Sequence, residues 1–108
     1  SKDDAVVTES LSNVSGASVT YNAVFRKSRH VVTIELTGVG VSNYSSGNFY
    51  TICTVPSTYK RAVYEMSHCA MSISGDTAVI NLSSQGVLSI GKLSSASALY
   101  RVSIVYLV

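Results

Sequence analysis

Apolar and polar residues alternate along most of this chain. Val19, Tyr21, Ala23 and Phe25 are interleaved with Thr20, Asn22, Val24 and Arg26. That period of two marks a strand with one apolar face. After Lys27-Ser28-Arg29-His30, a second run puts Val32, Ile34 and Leu36 on one face and Thr33, Glu35 and Thr37 on the other. Together the two runs predict an antiparallel hairpin. Gly38 and Gly40 bracket Val39 and predict a bulge or bend.

Ser42 to Asn48 reads as a loop, and Phe49 to Val55 as a strand ended by Pro56, which lacks a ladder donor. Ser57 to Ala62 is a second loop. Val63 to Ile73 is a long run with Met66, His68, Ala70 and Ser72 on one side and Ser67, Cys69, Met71 and Ile73 on the other. Ala62 to Met71 holds helix formers, but the β context favours a strand. Thr77 to Leu82 is a strand with Ala78, Ile80 and Leu82 on one face. Val87 to Leu93 is a strand interrupted at Gly91. Ala98 to Val108 is apolar on nearly both faces and predicts a central strand, buried on two sides or facing a neighbouring subunit.

Seven or eight short strands with a turn every ten or so residues predict an all-β fold. The expected architecture is an antiparallel jelly-roll or Greek-key barrel or sandwich. Residues 18–108 form its body. Residues 1–17 show no clean period. Val6, Val7 and Leu11 predict either a short first strand or a lead-in from an upstream stem. The opening Ser1-Lys2-Asp3-Asp4 lacks Met and reads as a fragment or processed product.

Composition sharpens this picture. Only 13% of the 108 residues are charged, against roughly 25% in typical domains. Mean hydropathy is +0.30. A surface so poor in charge suggests a buried subunit interface; a Ser/Thr-rich β surface is the alternative. The net charge of +2 is weak. Its basic cluster, Arg26, Lys27, Arg29 and His30, falls at the expected hairpin tip, where solvation accounts for it. Nucleic-acid binding would need a wider basic stripe with aromatics. No apolar run reaches the roughly 18 residues of a membrane helix, so neither a nucleic-acid partner nor membrane insertion is expected. Cys53 and Cys69 lie in apolar runs and read as two buried free thiols, with a disulfide left open. The triplets at Asn13, Asn43 and Asn81 are glycosylation acceptors only in a eukaryotic secretory path.

The sequence offers little for catalysis. His68 is adjacent to Cys69, but successive strand residues point to opposite faces. No nucleophile elbow, phosphate loop or zinc motif occurs. No enzyme activity, metal or cofactor is expected. Saccharide binding is better supplied, because it needs an aromatic platform with paired polar groups. The loop-borne candidates are Asn43, Tyr44, Asn48, Tyr59, Lys60 and Arg61, joined by Glu65, His68 and Asp76. Tyr44 is equally a loop anchor, Tyr59 either packs under its own turn or meets a ligand, and Lys60 and Arg61 are either solvated or ligand-bound. For His68 a structural role is preferred over a catalytic one. Tyr21, Tyr50, Tyr100 and Tyr106 sit in strands, where core or interface packing is expected.

Three stretches carry a family resemblance. They are Val19 to Lys27 followed by Val31-Val32-Thr33-Ile34, then Gly47 to Arg61 with Thr54-Val55-Pro56-Ser57-Thr58-Tyr59-Lys60-Arg61, and finally Gly86 to Ile90 with the terminal Tyr106-Leu107-Val108. Over about the last 90 residues the chain resembles the C-terminal head domain of receptor-binding proteins of tailed bacteriophages. It differs in having Lys60-Arg61-Ala62 in place of Arg-Pro, and in lacking tryptophan. The resemblance implies a homotrimeric β-barrel head at a phage tail tip or baseplate that binds a host cell-wall saccharide.

Overall fold

A computed structural model describes residues 6–16, 18–45, 47–59, 62, 64–92 and 97–108. These form eight strands: β1 (Val6–Ser15), β2 (Val19–Ser28), β3 (Val31–Val41), β4 (Phe49–Thr54), β5 (Met66–Ser72), β6 (Thr77–Leu82), β7 (Val87–Lys92) and β8 (Tyr100–Leu107). All pairings are antiparallel, in a single sheet of order β1-β2-β3-β8-β5-β6-β7-β4. The sheet curls into a half-barrel. Two meanders, β1-β2-β3 and β5-β6-β7, are joined by β8, which lies between β3 and β5. No helix among the described residues is long and apolar enough to cross a membrane.

The period-two pattern fixes which face turns inward. Val19, Tyr21, Ala23 and Phe25 of β2 are buried together with Val32, Ile34 and Leu36 of β3, Ala78, Ile80 and Leu82 of β6, and Tyr100, Ile104 and Tyr106 of β8. A 3₁₀ turn at Ser57–Tyr59 folds Tyr59 under the sheet. Its ring meets Phe25 with centroids 5.7 Å apart. Across the open side of the curl, the Tyr21 hydroxyl donates to the Cys53 sulfur and so links β2 to β4, which are not ladder partners.

The bulge predicted near Gly38 is present, and a second one lies across β2 from it. The β2–β3 register slips between Thr20 and Asn22, and the β1–β2 register slips between Leu11 and Val14. Each slip contains a left-handed residue, Gly38 at φ 58° in one and Asn13 at φ 51° in the other. Such residues are the usual device for inserting an extra position and bending a strand. Asn22 holds both bulges: its Oδ1 accepts the Asn13 N–H at 2.7 Å, and its Nδ2 donates to the Thr37 carbonyl at 3.4 Å.

Several expectations need correction. Of the two alternatives for the opening segment the strand is the one present, but it is ten residues long on β2, with most of its side chains exposed. The run from Val63 becomes a strand only at Met66. Gly91 does not interrupt β7: the Phe49 ring of the neighbouring β4 lies over it, and a Cβ there would come within 2.8 Å of that ring. An aromatic on a neighbouring strand thus fills the space above the glycine. β8 is central in order, yet its outer residues Val105 and Leu107 are exposed in the single chain.

The two cysteines are free, but they are not both buried. Cys69 is exposed on the outer face of β5, and Cys53 is half-buried. Burial pushes the Cys53 thiol above its ordinary pKa, with the Tyr21 hydroxyl acting in the opposite direction. A maleimide is therefore expected to label Cys69 at least roughly tenfold faster than Cys53, since the thiolate is the nucleophile. Mass spectrometry of the labelled peptides checks this; equal rates would contradict the packing around Cys53.

Candidate functional site

The antiparallel order sorts the loops onto two ends. The described residues of the connections before β2, β4, β6 and β8, namely 16, 18, 42–45, 47–48, 73–76 and 97–99, lie at the end where those strands begin. The turns at 29–30 and 83–86, and the connection from β4 to β5, lie at the opposite end. The first end carries the candidate site.

Its aromatic part is set by the 42–48 loop. Asn43 (φ 53°) and Gly47 (φ 86°) turn the backbone through left-handed conformations. The Ser45 N–H donates to the Tyr50 hydroxyl at 2.7 Å, and the Asn48 N–H donates to the Ser45 carbonyl at 3.3 Å. These bonds hold Tyr44 against Tyr50, with ring centroids 6.0 Å apart and planes at 55°. Tyr50 belongs to the inner face of β4 and is opposite Ile90. Tyr44 is half-buried and Asn48 exposed, which leaves a tyrosine beside a carboxamide at the rim.

The acidic part comes from the β5–β6 turn. Ser72 N–H donates to the Asp76 carbonyl at 2.9 Å, and Gly75 N–H donates to the Ser72 carbonyl at 3.1 Å. The Ser74 hydroxyl donates to Asp76 Oδ2 at 3.2 Å, Ser72 and Ser74 hydroxyls lie 2.9 Å apart, and Ser72 Oγ accepts the Asp76 N–H at 3.1 Å. With Ser74 donating to the carboxylate, the proton between the two serines comes from Ser72. This relay aims a half-buried carboxylate without freezing a flexible side chain by packing alone.

Tyr100 connects the two parts. It is fully buried at the start of β8, opposite Val39 and Ser72. Burial raises its phenol pKa most, followed by the Asp76 carboxylate and then Tyr44. Asp76 and Tyr44 thus both act electrostatically on one phenol, although they come from different loops.

The sequence candidates therefore divide. Asn43, Tyr44, Asn48 and Asp76 come together at one end. Tyr59 lies at the other end and is 1% exposed, so of its two possible roles packing is the one the structure contains. Burial, and secondarily Glu9, raises its phenol pKa. Glu65 is exposed and accepts a bond from Asn81 Nδ2 at 3.0 Å. His68 sits mid-strand opposite Ile80, half-buried, with Nε2 sheltered and without a hydrogen-bond partner among the described residues. Lys60 and Arg61 lie outside the described residues. Among the described residues no three His, Cys, Asp or Glu side chains converge as metal ligands.

Sequence reasoning missed Tyr50 and Tyr100 as parts of this end, having placed both in packing positions. The spacing Ser72-x-Ser74-x-Asp76 was a usable signal for the polar relay, because a turn brings such alternate side chains together. The chain matches no model of a known protein family and no curated protein.

Proposed function

We propose that this chain is a saccharide-binding head domain of a phage receptor-binding protein, acting as a homotrimer in host adhesion at the tail tip, and that it is not an enzyme. The convergence of Tyr44, Asn48 and Asp76 on one loop end carries this reading. A tyrosine face suits the C–H surface of a sugar ring, and the carboxamide and carboxylate suit its hydroxyls. The resemblance of the opening hairpin, the Pro56 to Tyr59 turn and the last strand to phage head domains supports the same assignment.

The outer face supports assembly. Val31 and Leu107 are register partners on β3 and β8 and are 39% and 70% exposed, and Val105 on the same face of β8 is 55% exposed. An uncovered apolar flank of this kind fits a subunit interface. Three copies on one fibre raise weak single-site binding through effective concentration.

The test is an array of bacterial cell-envelope saccharides. The domain is expected to bind a subset, competed by the free sugar, and Tyr44→Ala to weaken binding at least tenfold (about 1.4 kcal/mol) with an unchanged circular dichroism spectrum. A blank array would overturn the saccharide reading, and a single 11.4 kDa chain by light scattering at micromolar concentration would overturn the trimer.

A further inference from the structure

We infer that a groove beside the Tyr44 loop, floored by Gly40, is a subsite for an uncharged, hydroxyl-rich ligand; this rests on the saccharide reading and places part of the contact on the outer face. The groove has a volume of about 370 Å³ and is walled by Ser18, Thr20, Ser42, Ser97 and Leu99. It opens at the same end of the half-barrel as Tyr44, to which Ser42 is joined through Asn43. The Ser42 N–H donates to the Ser18 carbonyl at 2.9 Å, which ties its two rims together.

Gly40 is the informative residue. It pairs with Thr20 immediately beside the β2–β3 bulge, and it is not among the glycines with positive φ. The backbone there is open to any residue, so the glycine is not required for a turn. Glycine within a strand costs stability and marks places where something approaches the backbone closely. Here a Cβ would lie 2.9 Å from Leu99 Cδ2 and 3.3 Å from Thr20 Oγ1. The missing side chain lets Leu99 come down onto the strand, where it forms the apolar wall of the groove. Leu99 lies across it while remaining 62% exposed, an apolar edge that is not spent on the core.

The lining defines the ligand class. Four hydroxyl side chains can both donate and accept, an apolar wall faces them, and no charged residue lines the groove among the described residues. A neutral sugar offers the matching combination of hydroxyls and C–H surface. An anionic polymer such as poly(glycerol phosphate) finds no cation in this groove.

The experiment is a ¹⁵N–¹H correlation titration of the full chain with N-acetylglucosamine, galactose, glucose and rhamnose at millimolar concentration, with glycerol phosphate in parallel. At least one neutral sugar is expected to shift the amides of Thr20, Gly40, Ser42 and Leu99 together with those of Tyr44 and Asn48. Gly40→Val fills the groove and is expected to abolish the shifts at Thr20 and Ser42 and to weaken binding at least tenfold; Leu99→Ser, which leaves the floor open, is the second variant and should weaken it severalfold. Shifts confined to residues 43–48 and 74–76 would overturn the subsite and leave the saccharide reading standing. Preference for glycerol phosphate would overturn the neutral class. No shift with any sugar would overturn both.

Discussion

Raising the pH from about 10 to about 12 is expected to unfold the domain cooperatively. Burial pushes the Tyr21 phenol up to about 12, helped by Cys53, and does the same to Tyr106. Tyr59 and Tyr100 are raised as well. The folded state keeps these phenols neutral, whereas the unfolded chain ionises them near 10. Their stabilisation is therefore complete below pH 10 and is lost as the pH climbs through the folded values. Two phenols held up to about 12 and two more raised lose this contribution together, which makes unfolding follow their ionisation. Phenolate absorbance and far-ultraviolet circular dichroism should change together. Ionisation of all seven tyrosines near pH 10 with the fold intact would contradict the packing described for them. Tyr21→Phe should move the alkaline midpoint upward, because it removes one ionisation that only the unfolded chain can make easily.

Truncating Tyr59 to Ala is expected to cost about 3–5 kcal/mol, the range for removing a buried aromatic ring. The ring fills the end of the half-barrel away from the candidate site and is wedged against Phe25. Within the turn at Ser57–Tyr59 this residue alone is buried, so its ring is what anchors the turn to the core. Tyr59→Phe keeps the ring and its contact with Phe25 and should cost only a small fraction of that. Urea denaturation with an unchanged slope checks both values. An alanine variant as stable as the wild type but unable to bind saccharide would move the ligand site to this end of the molecule.

The inner faces of β2, β3, β6 and β8 were legible because alternation is a local signal, and burial follows it residue by residue. Two errors show where local signals stop. Gly91 reads as a break until Phe49, distant in sequence, is seen to cover it. Cys69 reads as buried because both faces of its run contain apolar residues; its register with Ser67 and Met71 puts it outside. The site follows the same rule. Loop composition marks Tyr44, Asn48 and Asp76 as available, but strand order puts them at one end of the sheet while Tyr59 goes to the opposite end. That order depends on β8 entering between β3 and β5, a pairing no neighbouring residue announces. Tyr50 and Tyr100 were assigned to packing, and they do pack; their second role is to support the rim from below.

A crystal structure of the domain soaked with the saccharide selected on the array would test the central claim most directly. The sugar ring should lie on the face of Tyr44, with hydroxyls bonded to Asn48 or Asp76. Density for the sugar only beside the turn at Ser57–Tyr59, or only along the edge of β1, would contradict it.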